Sequence, residues 1–284
     1  MNTSIGGAIM EGAQVLHEEG VAEARREASS LLAHAIGRDR TFVITHTEEF
    51  LQSKALESFR EFVERRAAGE PLQYISGHQE FFKLDFEVAP AVLIPRPETE
   101  LIVEIGLQLL PGTPAPLIAD IGTGSGCLAI SLLHELADAR ATATDISGAA
   151  LRLARRNSER HGVADRLMLI ESDCFSALEQ GKRFSLIVSN PPYVAEDDWK
   201  NLPPEVRDYE PRIALVSGAD GLSTIRRLLS EGPSFLCRGG YFVFEIGFGQ
   251  SEAVEQLIDA RVWQLLEIRH DLQRIPRTVV LQGK

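Results

Sequence analysis

The stretch PLIADIGTGSGCLAI, residues 116–130, determines the fold class predicted for this chain. It begins as an apolar strand, ends as an apolar helix, and carries three glycines between the two. Glycine lets the backbone turn tightly and lets a ligand approach the main chain, while the following helix offers N–H groups to polar or anionic groups. This order of strand, glycine-rich loop and helix predicts a ligand-binding loop in a doubly wound sheet.

The spacing of the glycines distinguishes this loop from two other nucleotide-binding loops. The dinucleotide fingerprint requires a glycine at position 127, where this chain has Cys127, and no GK[ST] sequence of a Walker A loop follows. A dehydrogenase is therefore disfavoured. The residues predicted to bind the ligand are those of the loop itself: Gly122, Thr123, Gly124, Ser125 and Gly126.

Strands and helices alternate along the chain from residue 116 onward. Seven apolar strand patterns occur, and helical patterns separate most of them, which predicts a mostly parallel sheet covered on both faces. The last two strands are joined only by LQRIP (272–276), which is too short for a helical crossover, so they are expected to be antiparallel. The predicted fold is α/β, with a mostly parallel, seven-stranded, doubly wound, Rossmann-like sheet and an antiparallel last strand.

Two segments precede this sheet. Residues 1–70 contain three amphipathic helical patterns and are predicted to form a small helical domain. Residues 71–97 combine prolines with alternating apolar residues and are interpreted as a β-hairpin linker, in which FFKLDFEV (81–88) is expected to form one strand. Residues 98–284 then form the α/β domain.

The composition favours a protein or a small molecule over nucleic acid as the substrate. The 284 residues include 29 basic and 41 acidic side chains, a net charge of −12, and an acidic chain binds the phosphate backbone poorly. No apolar run is long enough to span a membrane, and the N-terminus lacks the pattern of a signal peptide. The three cysteines are odd in number and lack metal-ligand spacing, so we expect no metal site and a cytoplasmic location.

Acidic residues end the second and third strands of the predicted sheet. Asp145 is positioned to accept hydrogen bonds from the two hydroxyls of a ribose, and a carboxylate at a helix N-terminus is the alternative interpretation. Asp173 is a candidate acceptor for the amine of an adenine ring, or else an exposed strand end. Its neighbours Cys174 and Phe175 are candidates to flank the ring.

The sequence Asn190-Pro191-Pro192-Tyr193 follows the fourth strand, at the same edge of the sheet as the glycine loop. The Asn190 side-chain oxygen and the backbone carbonyl after it can accept both hydrogens of one NH2 group, and the prolines stiffen this geometry. Tyr193 offers a flat ring to a planar substrate group. Two such acceptors would hold a weakly nucleophilic amide or aromatic amine in place for attack, although an Asn-Pro turn leaving a strand is the structural alternative.

These motifs together resemble those of the HemK/PrmC family, the glutamine methyltransferases of peptide chain release factors, within the class I S-adenosylmethionine-dependent methyltransferases. NPPY by itself is weak support, since enzymes that methylate amino groups of nucleic-acid bases use related tetrapeptides. The combination is specific, and it covers nearly the whole chain: PLQYISGHQEFF (71–82), LIPRPETE (93–100), DIGTGSGCLAI (120–130), SNPPYV (189–194), EPRIALVSGADGL (210–222) and GGYFVFEIGFGQ (239–250).

The resemblance implies methyl transfer from S-adenosylmethionine to the side-chain nitrogen (N5) of the glutamine in the GGQ motif of a release factor, with S-adenosylhomocysteine as the product. It places the glycine loop and Asp145 at the cofactor, with Cys174 near the adenine, where relatives often carry Trp. Asn190 is expected to touch both cofactor and substrate, and Arg96, between two prolines, to bind substrate near the mouth of the site. Glu245 is interpreted as structural.

The resemblance also implies partners. The helical domain is expected to hold the release factor, and no contact with nucleic acid or membrane is expected. A monomer is expected, because no uncovered heptad or long apolar stripe occurs. Two alternatives remain open: an amino methyltransferase of RNA or DNA bases, and a noncatalytic S-adenosylmethionine-binding module.

Overall fold

The computed structural model describes residues 3–110 and 112–284. The helices of these residues are α1 (Ile5–Glu18), α2 (Ala24–Ile36), α3 (Arg40–Thr45), α4 (Ser53–Ala67), α5 (Leu72–Ser76), α6 (Glu100–Leu109), α7 (Cys127–Glu135), α8 (Gly148–Arg160), α9 (Pro204–Tyr209), α10 (Ser223–Glu231) and α11 (Ser251–Leu257). The strands are β1 (His78–Phe81), β2 (Leu84–Glu87), β3 (Leu117–Ile121), β4 (Arg140–Asp145), β5 (Leu167–Glu171), β6 (Phe184–Ser189), β7 (Leu236–Glu245), β8 (Trp263–His270) and β9 (Pro276–Gly283). Over this part of the chain, none of the helices combines the length and the apolar character that crossing a membrane requires.

The chain divides into two compact units. The first contains the described residues up to His78 together with Pro203–Tyr209. The second contains Gln79–Leu202 and Glu210–Lys284. The domain boundaries expected from the sequence, at residues 70/71 and 97/98, stay a prediction about which segments fold independently.

The first unit is a helical bundle whose core lies between α1, α2 and α4. The apolar positions of these helices recur every three to four residues, which places them on one face of each helix. Arg66 of α4 is buried, and its guanidinium donates to the carboxylates of Glu27 at 2.5 Å and Glu205 at 2.9 Å. The side chains buried in this core include Ile5, Leu16, Leu31, Leu32, Phe59 and Val63.

The segment 81–88 forms a hairpin, and the expectation of a single strand there is wrong. Strand β1 ends at Phe81 and β2 begins at Leu84, and the two pair with each other. Phe82 and Lys83 between them both have positive φ angles, 50° and 63°, as a two-residue hairpin turn requires. Such turns usually contain Asn or Gly, so the sequence carries no turn signal; the Phe82 N–H is instead held by the carboxylate of Glu100 at 2.9 Å.

The second unit is built around a seven-stranded sheet, as predicted. Among the described residues its strand order is β5-β4-β3-β6-β7-β9-β8. The first five strands pair in parallel, and β9 pairs antiparallel to both β7 and β8. The antiparallel last strand is therefore confirmed, and it inserts between β7 and β8.

The strand order determines where the functional residues meet. The connection after β3 leads outward to β4, whereas β6 lies on the other side of β3, so the order reverses between β3 and β6. Apolar side chains pack on both faces of the sheet, including Ile130 on one face and Phe242 on the other. In doubly wound sheets a ligand cleft opens at the carboxyl ends of the strands where the order reverses. The glycine loop after β3 and Asn190 after β6 both lie at this edge.

Candidate active site

The glycine loop follows β3 and leads into α7. The N–H groups of Gly122 and Thr123 both donate to the Thr144 carbonyl at 2.9 Å, which ties the start of the loop to β4. Gly124 has a φ of +56°, and a Cβ added there would meet open space, so its glycine is required by backbone conformation. Gly126 has a φ of +85°, and a Cβ there would lie 2.8 Å from Ile130 Cδ1. The third glycine is therefore required by conformation and by close packing.

Asp120, the last but one residue of β3, forms hydrogen bonds with the glycine loop and with the first turn of α7. One carboxylate oxygen accepts the Thr123 hydroxyl at 2.6 Å and the Ala129 N–H at 3.2 Å. The other oxygen, Oδ1, is buried and has no hydrogen-bond partner among the described residues. Complete burial raises the pKa of Asp120 to about 7. Asp120 is the first residue of the DIGTGSGCLAI motif, and no role was predicted for it from the sequence.

Asp145 ends β4 beside the glycine loop. Its Oδ2 accepts from the Gly124 N–H at 2.8 Å, and its Oδ1 accepts from the Ser147 N–H at 2.9 Å. Burial raises the pKa of this carboxyl, and the backbone hydrogen bonds oppose that effect. Each oxygen keeps a lone pair, so Asp145 both fixes the loop and can accept hydrogen bonds from a diol. Ser147 caps α8 by accepting the Ala150 N–H at 3.2 Å.

Asn190 follows β6 and is oriented by a chain of hydrogen bonds. Its Nδ2 donates to the Thr99 hydroxyl oxygen at 2.9 Å. The Thr99 hydroxyl in turn donates to Glu245 Oε2 at 2.6 Å. Thr99 and Glu245 are almost completely buried, at 2% and 1% exposed. The amide nitrogen of Asn190 is therefore engaged with the protein, and its Oδ1 is the atom available to accept from a ligand.

Tyr193 is held at the other end of the same motif. Its hydroxyl donates to Glu245 Oε1 at 3.1 Å, and its carbonyl accepts from Gln250 Nε2 at 2.9 Å. Burial raises the pKa of the Tyr193 phenol, and the neighbouring Glu245 carboxylate raises it further, so the hydroxyl remains a donor. These two hydrogen bonds fix Tyr193, the last residue of the NPPY motif, to the protein. The stacking of Tyr193 on a substrate stays a prediction.

A cavity of about 250 Å³ lies where these elements meet. Ten of the residues predicted to form the site line it: Gly122, Thr123, Gly124, Ser125, Asp145, Asp173, Cys174, Asn190, Pro191 and Pro192. Three other predicted residues, Gly126, Tyr193 and Arg96, do not belong to its lining. The structure thus brings the loop, the strand-end acids and the Asn-Pro-Pro sequence to one cavity, although these segments lie far apart in the sequence.

The end of the cavity near β5 differs in detail from the sequence interpretation. Asp173 is exposed and its carboxylate accepts from Arg227 Nη1 of α10 at 2.7 Å. Cys174 has a φ of +51°, and burial raises the pKa of its thiol to about 11, so the thiol is neutral near pH 7. Phe175 does not flank the cavity: its ring is buried in the core and stacks on Phe235 at a centroid distance of 5.0 Å.

Arg96 is paired within the second unit. Its guanidinium donates to Oε1 of Glu210, whose side chain is 2% exposed, and Glu210 Oε2 accepts the Ile94 N–H at 3.2 Å. The segment 93–96 is thereby anchored to the start of the EPRIALVSGADGL motif. Contact of Arg96 with a substrate stays a prediction.

Two residues that contribute to the site were not predicted from the sequence. Thr99 was given no role, and Glu245 was interpreted as structural, yet these two side chains orient Asn190. Both lie inside motifs that carry the family resemblance, LIPRPETE and GGYFVFEIGFGQ, and that was the available signal. Among the residues that the structure describes, no group of three or more His, Cys, Asp or Glu side chains is arranged to hold a metal ion.

Two protein-family models match parts of this chain. Residues 7–77 match the model of the PrmC N-terminal domain, and residues 103–202 match the methyltransferase small domain. A release factor glutamine methyltransferase of Geobacter sulfurreducens is 47% identical over 84% of this chain and 82% of its own length. A protein of the same name from Burkholderia pseudomallei is 43% identical over 88% of this chain and 89% of its own length.

One solved structure extends the comparison to the fold. The ribosomal protein L11 methylase of Lactobacillus delbrueckii subsp. bulgaricus superposes with a TM-score of 0.51 over 72% of this chain and 90% of that chain, at 22% identity. This likeness concerns the fold alone. The sequence relatives go further, because their identity is well above 30% and extends over most of both chains. The chain therefore belongs to the family of release factor glutamine methyltransferases.

Proposed function

We propose that this chain transfers a methyl group from S-adenosylmethionine to the side-chain nitrogen (N5) of the glutamine in the GGQ motif of a peptide chain release factor. The observation that carries the proposal is the orientation of Asn190, whose Nδ2 is bound to Thr99, so that Oδ1 is left to accept a hydrogen from an amide NH2. The family of the chain supports the same reaction.

The residues of the cavity suit the methyl donor. Gly122 and Gly124 leave open space where side chains would stand, which allows a ligand to approach the backbone. Asp145 lines the cavity and keeps lone pairs for the hydroxyls of a ribose. Bound S-adenosylmethionine would supply a methyl group on a positively charged sulfur. Asp173 and Cys174 are proposed to lie near its adenine.

The acceptor side consists of Asn190 and the two prolines. Asn190 Oδ1 and the Pro191 carbonyl would each accept one hydrogen of the glutamine NH2 group, which holds the nitrogen in place and increases its electron density. The nitrogen forms a bond to the methyl carbon as the carbon–sulfur bond breaks, and S-adenosylhomocysteine leaves. The nitrogen then loses one proton to solvent, so the product is a neutral N5-methyl amide. No strong base is needed, because the proton leaves after transfer.

The partners follow from this reaction. A release factor is the proposed protein substrate, and residues 1–70 are proposed to help hold it. A cytoplasmic location would fit a substrate that acts in translation. Direct nucleic-acid binding is not expected, given the net charge of −12. A monomer is proposed, because the sequence contains no uncovered heptad or long apolar stripe.

A methyl-transfer assay tests the proposal. The purified chain is incubated with S-adenosylmethionine labelled in its methyl group and with a release factor, its GGQ Gln→Ala variant, bulk RNA or bulk DNA. We expect label on the release factor and none on the Gln→Ala variant. Label on nucleic acid alone would support the amino methyltransferase alternative, and binding of S-adenosylmethionine without transfer to any of these would support a noncatalytic module.

A further inference from the structure

We propose that Thr99 and Glu245 are positioning residues that lock the side-chain amide of Asn190 in one orientation, and that this lock makes the site accept a carboxamide and reject the isosteric carboxylate. The inference rests on the proposed function, and it adds the origin of the discrimination between glutamine and glutamate.

The direction of each hydrogen bond follows from what each group can donate. Glu245 stands at the end of β7 and receives the Thr99 hydroxyl on one oxygen and the Tyr193 hydroxyl on the other. Burial raises the pKa of Glu245, while the hydrogen bonds from Thr99 and Tyr193 and the charge of Arg277 oppose that effect. As a carboxylate, Glu245 has no proton to give, so both hydroxyls donate to it. Once its proton points to Glu245, the Thr99 hydroxyl can only accept from its next neighbour. That neighbour is Asn190, which must therefore present its nitrogen.

The opposite orientation of the Asn190 amide is disfavoured for the same reason. A flipped amide would place Oδ1 against the Thr99 oxygen at about the present 2.9 Å. Two acceptors would then face each other without a proton between them at the almost completely buried Thr99 hydroxyl, and an acceptor held against another acceptor is costly. The buried carboxylate thus decides, two hydrogen bonds away, which Asn190 atom faces the cavity.

The orientation determines which acceptor substrate fits. An amide NH2 can donate to Asn190 Oδ1, whereas the carboxylate of a glutamate has the same shape and offers only lone pairs. A site built to receive a donor rejects an analogue that lacks one, because its own polar group is left unpaired. If the Asn190 amide could turn freely, it would present its NH2 group to a carboxylate and part of the discrimination would be lost.

The three residues lie far apart in the sequence, so no local sequence pattern could predict that they come into contact. Thr99 ends the short 3-10 helix Pro97–Thr99 before α6, while Asn190 follows β6 and Glu245 ends β7. The β6 and β7 strands are parallel neighbours, with Ser189 opposite Phe244, so the residues that follow them meet at the same edge of the sheet. The lock therefore joins three of the motifs that the family resemblance rests on.

The test compares Thr99→Val, which keeps the shape and removes the hydroxyl, with two controls. Thr99→Ser keeps the hydroxyl and should preserve the lock. Thr278→Val is the matched control, because Thr278 is fully buried and lies opposite Glu245 on β9, and its hydroxyl has no hydrogen-bond partner among the described residues. For each protein we would measure kcat and KM with the release factor, and the inhibition constant of its GGQ Gln→Glu variant as a competitor.

We expect Thr99→Val to lower kcat by about tenfold or more, because the substitution removes the hydrogen bond that orients the Asn190 amide. The ratio of the Gln→Glu inhibition constant to the KM should fall by about tenfold as well, because the freed amide can donate to the carboxylate. The affinity for S-adenosylmethionine, measured by calorimetry, should stay within about twofold. Thr99→Ser and Thr278→Val should behave like the wild type.

An unchanged ratio in a folded Thr99→Val protein would overturn the inference, even if kcat falls, because a packing defect lowers turnover without changing which group Asn190 presents. Should Thr99→Val fail to fold, Thr99→Ala carries the same test, since it removes the same hydroxyl and leaves a smaller side chain. Failure of the wild type to label the release factor would overturn the proposed function. Labelling by the wild type with unchanged ratios in the variants would overturn the lock alone.

Discussion

Replacing Asn190 by alanine tests the division of labour in the site most directly. The side chain makes one hydrogen bond to the described protein, from Nδ2 to Thr99, so its removal leaves the Thr99–Glu245 contact in place. What the reaction loses is one of two acceptors that hold the glutamine NH2 group. We therefore expect a large effect on turnover and a small effect on folding.

The size of the effect can be bounded. Removal of one preorganised hydrogen-bonding group from an active site raises the barrier by about 2–4 kcal/mol, which is a decrease in kcat of about 30- to 1000-fold. The free energy of unfolding should change by about 1 kcal/mol or less, because the hydrogen bond lost is between neutral groups. The glycine loop and Asp145 are untouched, so the dissociation constant of S-adenosylmethionine should stay within about twofold.

The assay is single-turnover methyl transfer to a release factor under saturating labelled S-adenosylmethionine, with calorimetric titration of the cofactor alongside. Asn201→Ala is the matched control, since Asn201 is an exposed asparagine at the end of the short helix Glu196–Asn201. An equal loss of cofactor affinity and turnover in Asn190→Ala would refute the reasoning, because it would show that Asn190 acts mainly by holding the donor.

Three further substitutions probe the surroundings of the site. Asp145→Ala should weaken S-adenosylmethionine binding by about tenfold or more by calorimetry, because it removes the diol acceptor and the anchor of Gly124, whereas unchanged affinity would exclude the ribose role. Burial raises the pKa of Asp120 from 3.8 to about 7 in the folded protein. As pH rises, this carboxyl ionises first in the unfolded chain, so the free energy of unfolding should fall between about pH 4 and 7. Denaturant unfolding at pH 5 and 8 should show a smaller fall in Asp120→Asn than in the wild type, and equal falls would contradict the raised pKa. Arg96→Met should lower the free energy of unfolding by about 3 kcal/mol, because the buried carboxylate of Glu210 loses its ion pair with Arg96. Weaker release-factor binding at unchanged stability would instead show that Arg96 acts only on substrate.

Much of the fold and part of the site could be predicted from local patterns. The strand–loop–helix sequence at 116–130 and the strand ends at Asp145, Asp173 and Asn190 identified ten of the residues that line the cavity. These residues could be placed at one cavity from the sequence because strand, turn and helix signals depend on near neighbours, and because the carboxyl ends of parallel strands meet at one edge. The hairpin turn at Phe82 and Lys83 was missed because contacts to residues outside the turn stabilise it, such as the Glu100 carboxylate on the Phe82 N–H.

The sequence by itself determined the α/β class, the glycine-rich turn between β3 and α7, and the family of the chain. Only the tertiary structure decided that β9 inserts between β7 and β8, and that Glu245 acts on Asn190 through Thr99. The physical reason is that a buried polar group takes its partners from whatever the packed sheet brings within about 3 Å. Thr99 lies 91 residues from Asn190 and 146 from Glu245 along the chain. No spacing rule links positions so distant, whereas three-dimensional packing places them in direct contact.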